Sequence, residues 1–283
     1  MKRAELVDIP LRDGYATYGW LYRPAGVAGV PVVYVHGIQS HPEWFIRSCD
    51  ALVVAGHPVL AVARRGSGEN AAARGHARSA GQLLDDLDAA VAFACELTGA
   101  AKVHLVGVSW GGKLAAAYGL RPACAERLAS LTMIAPGIAP RVDVRWWTKL
   151  AVAAALVAWP WKRFAIPLSD VELFTDNEAG REFLRDDPHR LARATAKFLY
   201  ISRVLDWQLA RAKPGALTLP TTLLLAARDR IIDNDATETV VRRLTAENAR
   251  VVTINAAHTM DFEETPAEFL TALVTAMKTP GAP

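Results

Sequence analysis

The stretch Val103-His104-Leu105-Val106-Gly107-Val108-Ser109-Trp110-Gly111-Gly112 decides how this chain is read. It is an apolar strand run that ends in Gly-x-Ser-x-Gly and leads into a helix starting near Lys113. In that context a serine is forced onto a sharp strand-to-helix turn and can become a nucleophile. Gly107 and Gly111 leave room beside a strained backbone that side chains would crowd. Ser109 is then expected at the carboxyl edge of a sheet, above a helix N-terminus whose free N–H groups favour a developing oxyanion. The pentapeptide alone equally suits a plain glycine-rich turn, so the surrounding chain has to choose between the two.

On both sides of this stretch, strands and helices alternate. Residues 5–10 and 17–22 read as two strands joined around Asp13-Gly14, a hairpin at the sheet edge. Residues 30–36 form a continuous apolar run of the kind that fills a central parallel strand and ends in His36-Gly37. A helix is expected over 42–55, a strand over 58–63, and a helix from Ser79 to Thr98 with Gly99 as its stop. After the central stretch come a helix over 112–120, a strand over 128–135, a strand at 221–226, a helix near 236–247, a strand at 249–254 and a last helix from about Pro266. This predicts the α/β class: a mostly parallel, doubly wound sheet. Residues 138–215 interrupt the alternation with helix-like stretches and no convincing strand. They are read as a helical cap inserted into a core of 1–137 and 216–283, above the edge where α/β sheets bind ligands. Thr279–Pro283 reads as a short disordered tail.

Composition narrows the function classes. With 52% apolar and 22% charged residues in 283, the chain can bury a large core without metal or disulfide support. A net charge of +3 with scattered arginines leaves no nucleic-acid footprint. Cys49, Cys95 and Cys124 are an odd, widely spaced set that suits reduced thiols in a cytoplasmic protein. The N-terminus has no signal-peptide core, and no apolar run reaches membrane-spanning length. Asp85, Asp86 and Asp88 read as a solvated helix face, since no other ligand type stands at metal-like spacing.

A serine needs a base, and the base needs an orienting acid. Of the seven histidines, only His258 both follows a strand end and stands late in the chain. Asp229 lies just beyond the end of the 221–226 strand; Asp233 is the alternative, although a helix N-cap role would explain it. The order Ser109, Asp229, His258 is that of an esterase-type relay.

Together, His36-Gly37, Arg65-Gly66-Ser67-Gly68, Gly107-Val108-Ser109-Trp110-Gly111, Asp229-Arg230-Ile231-Ile232-Asp233 and His258 with Glu263 make the chain resemble an α/β-hydrolase of the monoacylglycerol-lipase and lysophospholipase-like branch. The resemblance implies nucleophile Ser109, acid Asp229, base His258, and oxyanion donors from the backbone N–H groups of Ile38 and Trp110. It implies no metal and no organic cofactor. Two departures stand out: Ala63 replaces an Asp common before the Arg65 loop, and Ile38-Gln39-Ser40-His41-Pro42 replaces a glycine-rich segment. Glu263 is read as a tether for the final helix rather than a chemical group.

The expected activity is hydrolysis of esters of lipophilic acyl groups, monoacylglycerol- or lysophospholipid-like, through an acyl-enzyme. A thioesterase, an amidase or aminopeptidase, and a non-catalytic binding protein on the same fold are the competing readings. The run Leu150–Pro160, preceded by Trp146, Trp147 and Lys149 and followed by Trp161, Lys162 and Arg163, suits peripheral membrane contact. It equally suits a helix buried against the core or a second subunit.

Overall fold

The computed structural model describes residues 4–26 and 28–278, so the expected disorder of Thr279–Pro283 lies outside the described residues. Strands β1 (Glu5–Pro10) and β2 (Ala16–Tyr22) form the expected hairpin, with Gly14 at φ +80° in its turn. Strand β3 (Val32–Val35) is buried along its length. The expected 42–55 helix is split: a tight turn at Pro42–Phe45 leads into α1 (Ile46–Val54). Then come β4 (Val59–Val62) and α2 (Ala80–Thr98). The Ser79 side chain caps α2 by accepting the Gln82 N–H, and Gly99 ends it at φ +70°. Strand β5 (Val103–Val108), helix α3 (Trp110–Gly119), the single turn α4 (Pro122–Ala125) and β6 (Leu128–Ile134) complete the first half.

The chain then leaves the sheet. It forms α5 (Trp146–Ala158), β7 (Arg163–Ala165), α6 (Glu178–Asp186), β8 (Arg193–Thr195) and α7 (Ala196–Arg211). It returns as β9 (Thr221–Ala226), α8 (Asn234–Leu244), β10 (Arg250–Ile254) and α9 (Ala267–Ala276). The strand order is β1-β2-β4-β3-β5-β6-β9-β10. Pairing is antiparallel through β1, β2 and β4, and parallel from β4 to β10. Every residue of β3, β4, β5 and β9 is buried, because helices cover both faces of the parallel part. This is the α/β-hydrolase fold.

Two sequence expectations are corrected. Residues 138–215 do hold strands: β7 and β8 pair antiparallel as a separate two-stranded ribbon. Each strand is three residues long and its partner is some thirty residues away, so no local alternation announces it. The carboxylates on α2 are not all a solvated face. Asp88 is buried and receives hydrogen bonds from Arg12, Tyr118 and Arg127, while Asp86 takes a bidentate pair from Arg65. Asp85, paired with Arg121, is half-buried and has the most exposed side chain of the three. Helical periodicity locates a face but not the distant cations that cover it.

The 138–215 segment is fastened to the core by charge. The buried His41 imidazole meets Glu43 through Nδ1 and Asp187, from the segment, through Nε2 at 3.0 Å. Trp44 donates its indole N–H to the same Asp187 at 2.8 Å. Burial works against a charge on His41, yet the hydrogen bonds it donates to both carboxylates raise its pKa to about 9. A raised histidine pKa stabilises the fold fully below the unfolded value near 6.5, and that contribution is lost as pH rises through about 9. Thermal unfolding of the wild type should therefore show a falling midpoint between pH 7 and 9.5. His41→Gln should flatten that slope, and equal slopes for the two proteins would exclude the latch.

Candidate active site

Ser109 sits between β5 and α3 at φ +52° and ψ −123°, a conformation strained for any residue with a side chain. Its backbone is held on both sides. The Ser109 N–H donates to Ile134 O at 2.8 Å, and its carbonyl accepts from Gly112 at 2.9 Å and Gly137 at 2.8 Å. The flanking glycines are sterically required. A Cβ on Gly107 would lie 2.6 Å from Gly111 O, and one on Gly111 would lie 2.4 Å from His36 O. The turn is thus a backbone-on-backbone crossing between β3, β5 and α3.

His258 lies beyond β10, in the loop at its carboxyl end, and is buried. Its Nδ1 is 2.8 Å from Asp229 Oδ2. The other Asp229 oxygen accepts the N–H groups of Ile231 at 2.8 Å and Ile232 at 2.9 Å, which fixes the carboxylate's plane. Asp233 faces elsewhere: it caps α8 by accepting the Ala236 N–H. Glu263 accepts the Ala257 N–H and pairs with Arg228, so it braces the loop that carries His258.

Gly37 abuts the serine, since a Cβ there would lie 3.3 Å from Ser109 Cβ. Ser109, His258, Gly37 and Ile38 line one cavity of only about 10 Å³. Its remaining wall is mostly apolar, with Trp44, Phe45, Val108, Leu168 and Phe174 among the lining residues. Among the described residues, the backbone N–H groups of Ile38 and Trp110 have no hydrogen-bond partner. Ser109 Oγ likewise carries no hydrogen bond, and such contacts commonly tighten only with substrate in place. A buried hydrogen-bonded His–Asp pair, a strained serine and two free backbone donors, from Ile38 in the cavity wall and from Trp110 directly after the serine, are the parts that acyl transfer uses.

Other residues shape this site without having been legible as such. Leu168 and Phe174 come from the 138–215 segment and line the same cavity as Ser109. His36 is buried and neutral, since burial and nearby Arg64 lower its pKa far below the usual range. It donates from Nδ1 to Gly37 O at 2.9 Å and accepts the Arg64 N–H on Nε2 at 2.9 Å. Lys113 on α3 reaches Asp206 on α7 at 2.7 Å, and Ser202 beside it accepts from both Lys113 and the Trp110 indole. The sole signal in the sequence was a run of polar residues at helical spacing on α7, which is too common to assign. Among the described residues, no group of three or more His, Cys, Asp or Glu side chains is placed to hold a metal ion.

The family model described as serine aminopeptidase, S33, matches residues 29–265. No curated protein sequence matches the chain significantly. Solved structures are similar across nearly the whole chain. A monoacylglycerol lipase of Paleococcus ferrophilus is 22% identical with a TM-score of 0.75, covering 90% of this chain and 99% of its own. A soluble variant of monoglyceride lipase from Saccharomyces cerevisiae, in complex with a substrate analogue, is 17% identical with a TM-score of 0.83, covering 99% and 97%. A thermostable carboxyl esterase from Bacillus coagulans is 13% identical with a TM-score of 0.78, covering 97% and 98%. At these identities the structural likeness establishes the fold.

The crossing at the serine makes a direct prediction. Gly111→Ala should destabilise the protein by roughly 3 kcal/mol, the upper end of overpacking costs, because the atoms it meets are backbone. Gly26→Ala, whose Cβ would meet nothing within 4 Å, is the control. Denaturant unfolding of both variants decides, and equal stability would remove the crossing as a constraint.

Proposed function

Because the chain belongs to the serine aminopeptidase S33 family of hydrolases, matched over most of its length, we propose that it is a serine carboxylester hydrolase for lipophilic acyl esters of the monoacylglycerol or lysophospholipid kind. The observation that carries this reading is the composition of the cavity around Ser109. Its lining includes Ile38, Trp44, Phe45, Val108, Leu168 and Phe174, and no Asp or Glu stands among the lining residues. An aminopeptidase site has to hold a cationic amino terminus, which calls for a carboxylate. An acyl chain calls for the apolar wall that is there. The likeness to monoacylglycerol lipases supports the same substrate class.

The reaction proceeds in two steps. His258 accepts the Ser109 proton as Oγ attacks the ester carbonyl, and Asp229 holds the imidazole and stabilises its charge. The tetrahedral oxyanion is bound by the N–H groups of Ile38 and Trp110. His258 then gives the proton to the departing alcohol. Water then attacks the acyl carbonyl and gives a proton to the same imidazole; as the second tetrahedral species collapses, the acid leaves and the imidazole returns that proton to Ser109 Oγ. No metal or organic cofactor takes part in these steps. The 138–215 segment acts as the cap, with Leu168 and Phe174 over the serine. A cavity of about 10 Å³ is far below the several hundred that ligand sites occupy, so the cap shifts when an acyl chain enters.

The outer surface of the cap is where the substrate arrives. Helix α5 buries only Ala155 and leaves Trp146 at 68%, Leu150 at 62% and Val157 at 90% exposed. Burial against the core, one of the three expectations for this run, is therefore not its state in the single chain. Trp159 and Trp161 continue the exposed apolar face, with Lys162 and Arg163 also exposed beside them. Aromatic residues with basic neighbours fit the interface of an anionic membrane. Among the described residues no helix is long and apolar enough to cross one, so the contact is peripheral.

Two measurements test these readings. The purified protein should hydrolyse p-nitrophenyl esters with rates that rise from acetyl to medium acyl lengths, and Ser109→Ala should lower kcat by at least about 10⁴-fold. Unchanged turnover in that variant, or faster cleavage of aminoacyl amides, would overturn the assignment. The protein should also sediment with phosphatidylglycerol-containing vesicles, less so in high salt. A combined Trp146→Ala, Leu150→Ala and Trp159→Ala variant should lose that binding and keep activity on soluble esters. A concentration-dependent dimer that ignores vesicles would instead assign this face to a second copy of the chain.

A further inference from the structure

Arg64 is buried, at 5% exposure, yet no carboxylate pairs with it among the described residues. Its Nε and Nη1 have no hydrogen-bond partner at all. The neighbouring Arg65 differs sharply: it is held by both Asp13 and Asp86. A cation taken out of water without a counter-charge is a costly thing to keep in a core. Burial lowers the pKa of Arg64 to about 9, which still leaves it cationic at neutral pH.

What Arg64 does touch is confined to one place. Its Nη2 donates to Gly37 O at 2.7 Å and to Ile38 O at 3.0 Å. Its guanidinium carbon lies 4.7 Å from the centre of the Trp110 ring and 5.9 Å from that of Phe198. Ile38 and Trp110 are the residues whose backbone N–H groups stand free beside Ser109.

We propose that Arg64 is a positioning residue for the oxyanion hole, aiming the Ile38 N–H through the Gly37 carbonyl and bracing Trp110 by stacking on its ring. The geometry follows from the peptide unit. In a planar trans peptide, the carbonyl of Gly37 and the N–H of Ile38 point in opposite directions. Arg64 and the His36 Nδ1–H both pull on that carbonyl from the core side. The N–H is therefore driven toward the opposite side, where the cavity is. A cation bonded to the carbonyl also polarises the peptide, which makes its N–H a stronger donor as negative charge grows on the substrate oxygen. From above, the cap holds the next residue: Leu191 donates to Gln39 O at 2.9 Å, and Arg190 to Gln39 Oε1 at 3.0 Å. The loop is thus clamped from two sides, and the lower clamp is the more deeply buried of the two cations.

This inference rests on the reading that Ser109 is acylated by an ester, and the test separates the two. Wild type, Arg64→Met and Arg64→Lys are assayed with p-nitrophenyl octanoate. Affinity is measured for an octyl trifluoromethyl ketone, which forms an oxyanion adduct on serine, and for octan-1-ol, which does not. Removing one oxyanion donor outright costs about 10²–10³-fold, and a misaimed donor should cost less. Arg64→Met should therefore lower kcat about 10–100-fold with KM within about twofold, and weaken the ketone by the same factor while octanol affinity holds. Arg64→Lys, which keeps the charge and one contact, should recover part of the loss. If Arg64→Met does not fold, Arg64→Gln is read by the same criteria. A kcat within about threefold of wild type, or parallel loss of ketone and octanol affinity, overturns the role of Arg64. A wild type that neither hydrolyses the ester nor labels at Ser109 with a fluorophosphonate overturns the hydrolase reading itself, and this inference with it.

Discussion

The structure at its functional end depends on one close crossing of backbones. Strand β5 can enter helix α3 directly beneath β3 only because Gly107 and Gly111 lack side chains. Without that approach the turn would relax, and Ser109 would lose its strained φ and its exposure at the sheet edge. The strain is affordable because the serine's own N–H and C=O are tied into β6, α3 and the Gly137 turn. A residue in a sparsely populated conformation persists where its surroundings over-determine it, and here three elements do so.

Around that crossing, the loops at the carboxyl ends of β3, β9 and β10 bring in Ile38, Asp229 and His258. Each is held by hydrogen bonds between a side chain and the loop backbone. The Asp229 carboxylate is oriented by two N–H groups before it meets His258, and the His258 loop is braced by Glu263. Positioning of this kind keeps the reorganisation needed during a charge-developing reaction small.

The junction between the sheet and the 138–215 segment is organised differently. It depends on charged groups in dry surroundings: His41 with Glu43 and Asp187, and Lys113 with Asp206. Burial disfavours the charged form of Lys113, and Asp206 offsets this only in part. Such contacts add little net stability compared with apolar packing, but they penalise any arrangement that breaks the pairs. They hold the 138–215 segment in one register against the sheet. Arg64 is the exception in this set, a buried cation answered by carbonyls and aromatic faces.

The sequence by itself determined the α/β alternation, the serine turn, and the relay candidates Ser109 and His258. All of these rest on local signals, namely apolar runs, glycines at fixed offsets and order along the chain. It favoured Asp229 over Asp233 as the acid, although both follow the same strand. Which of them meets His258 is a matter of loop path, and the structure places Asp229 there with Asp233 as a helix cap. Only the tertiary structure decided the β7–β8 ribbon, the burial of Asp88, the exposure of α5 and the place of Arg64. Each of those depends on a partner far away in sequence, or on the lack of one. Periodicity tells which side of an element is apolar, but what comes to cover that side is settled only when the whole chain has folded.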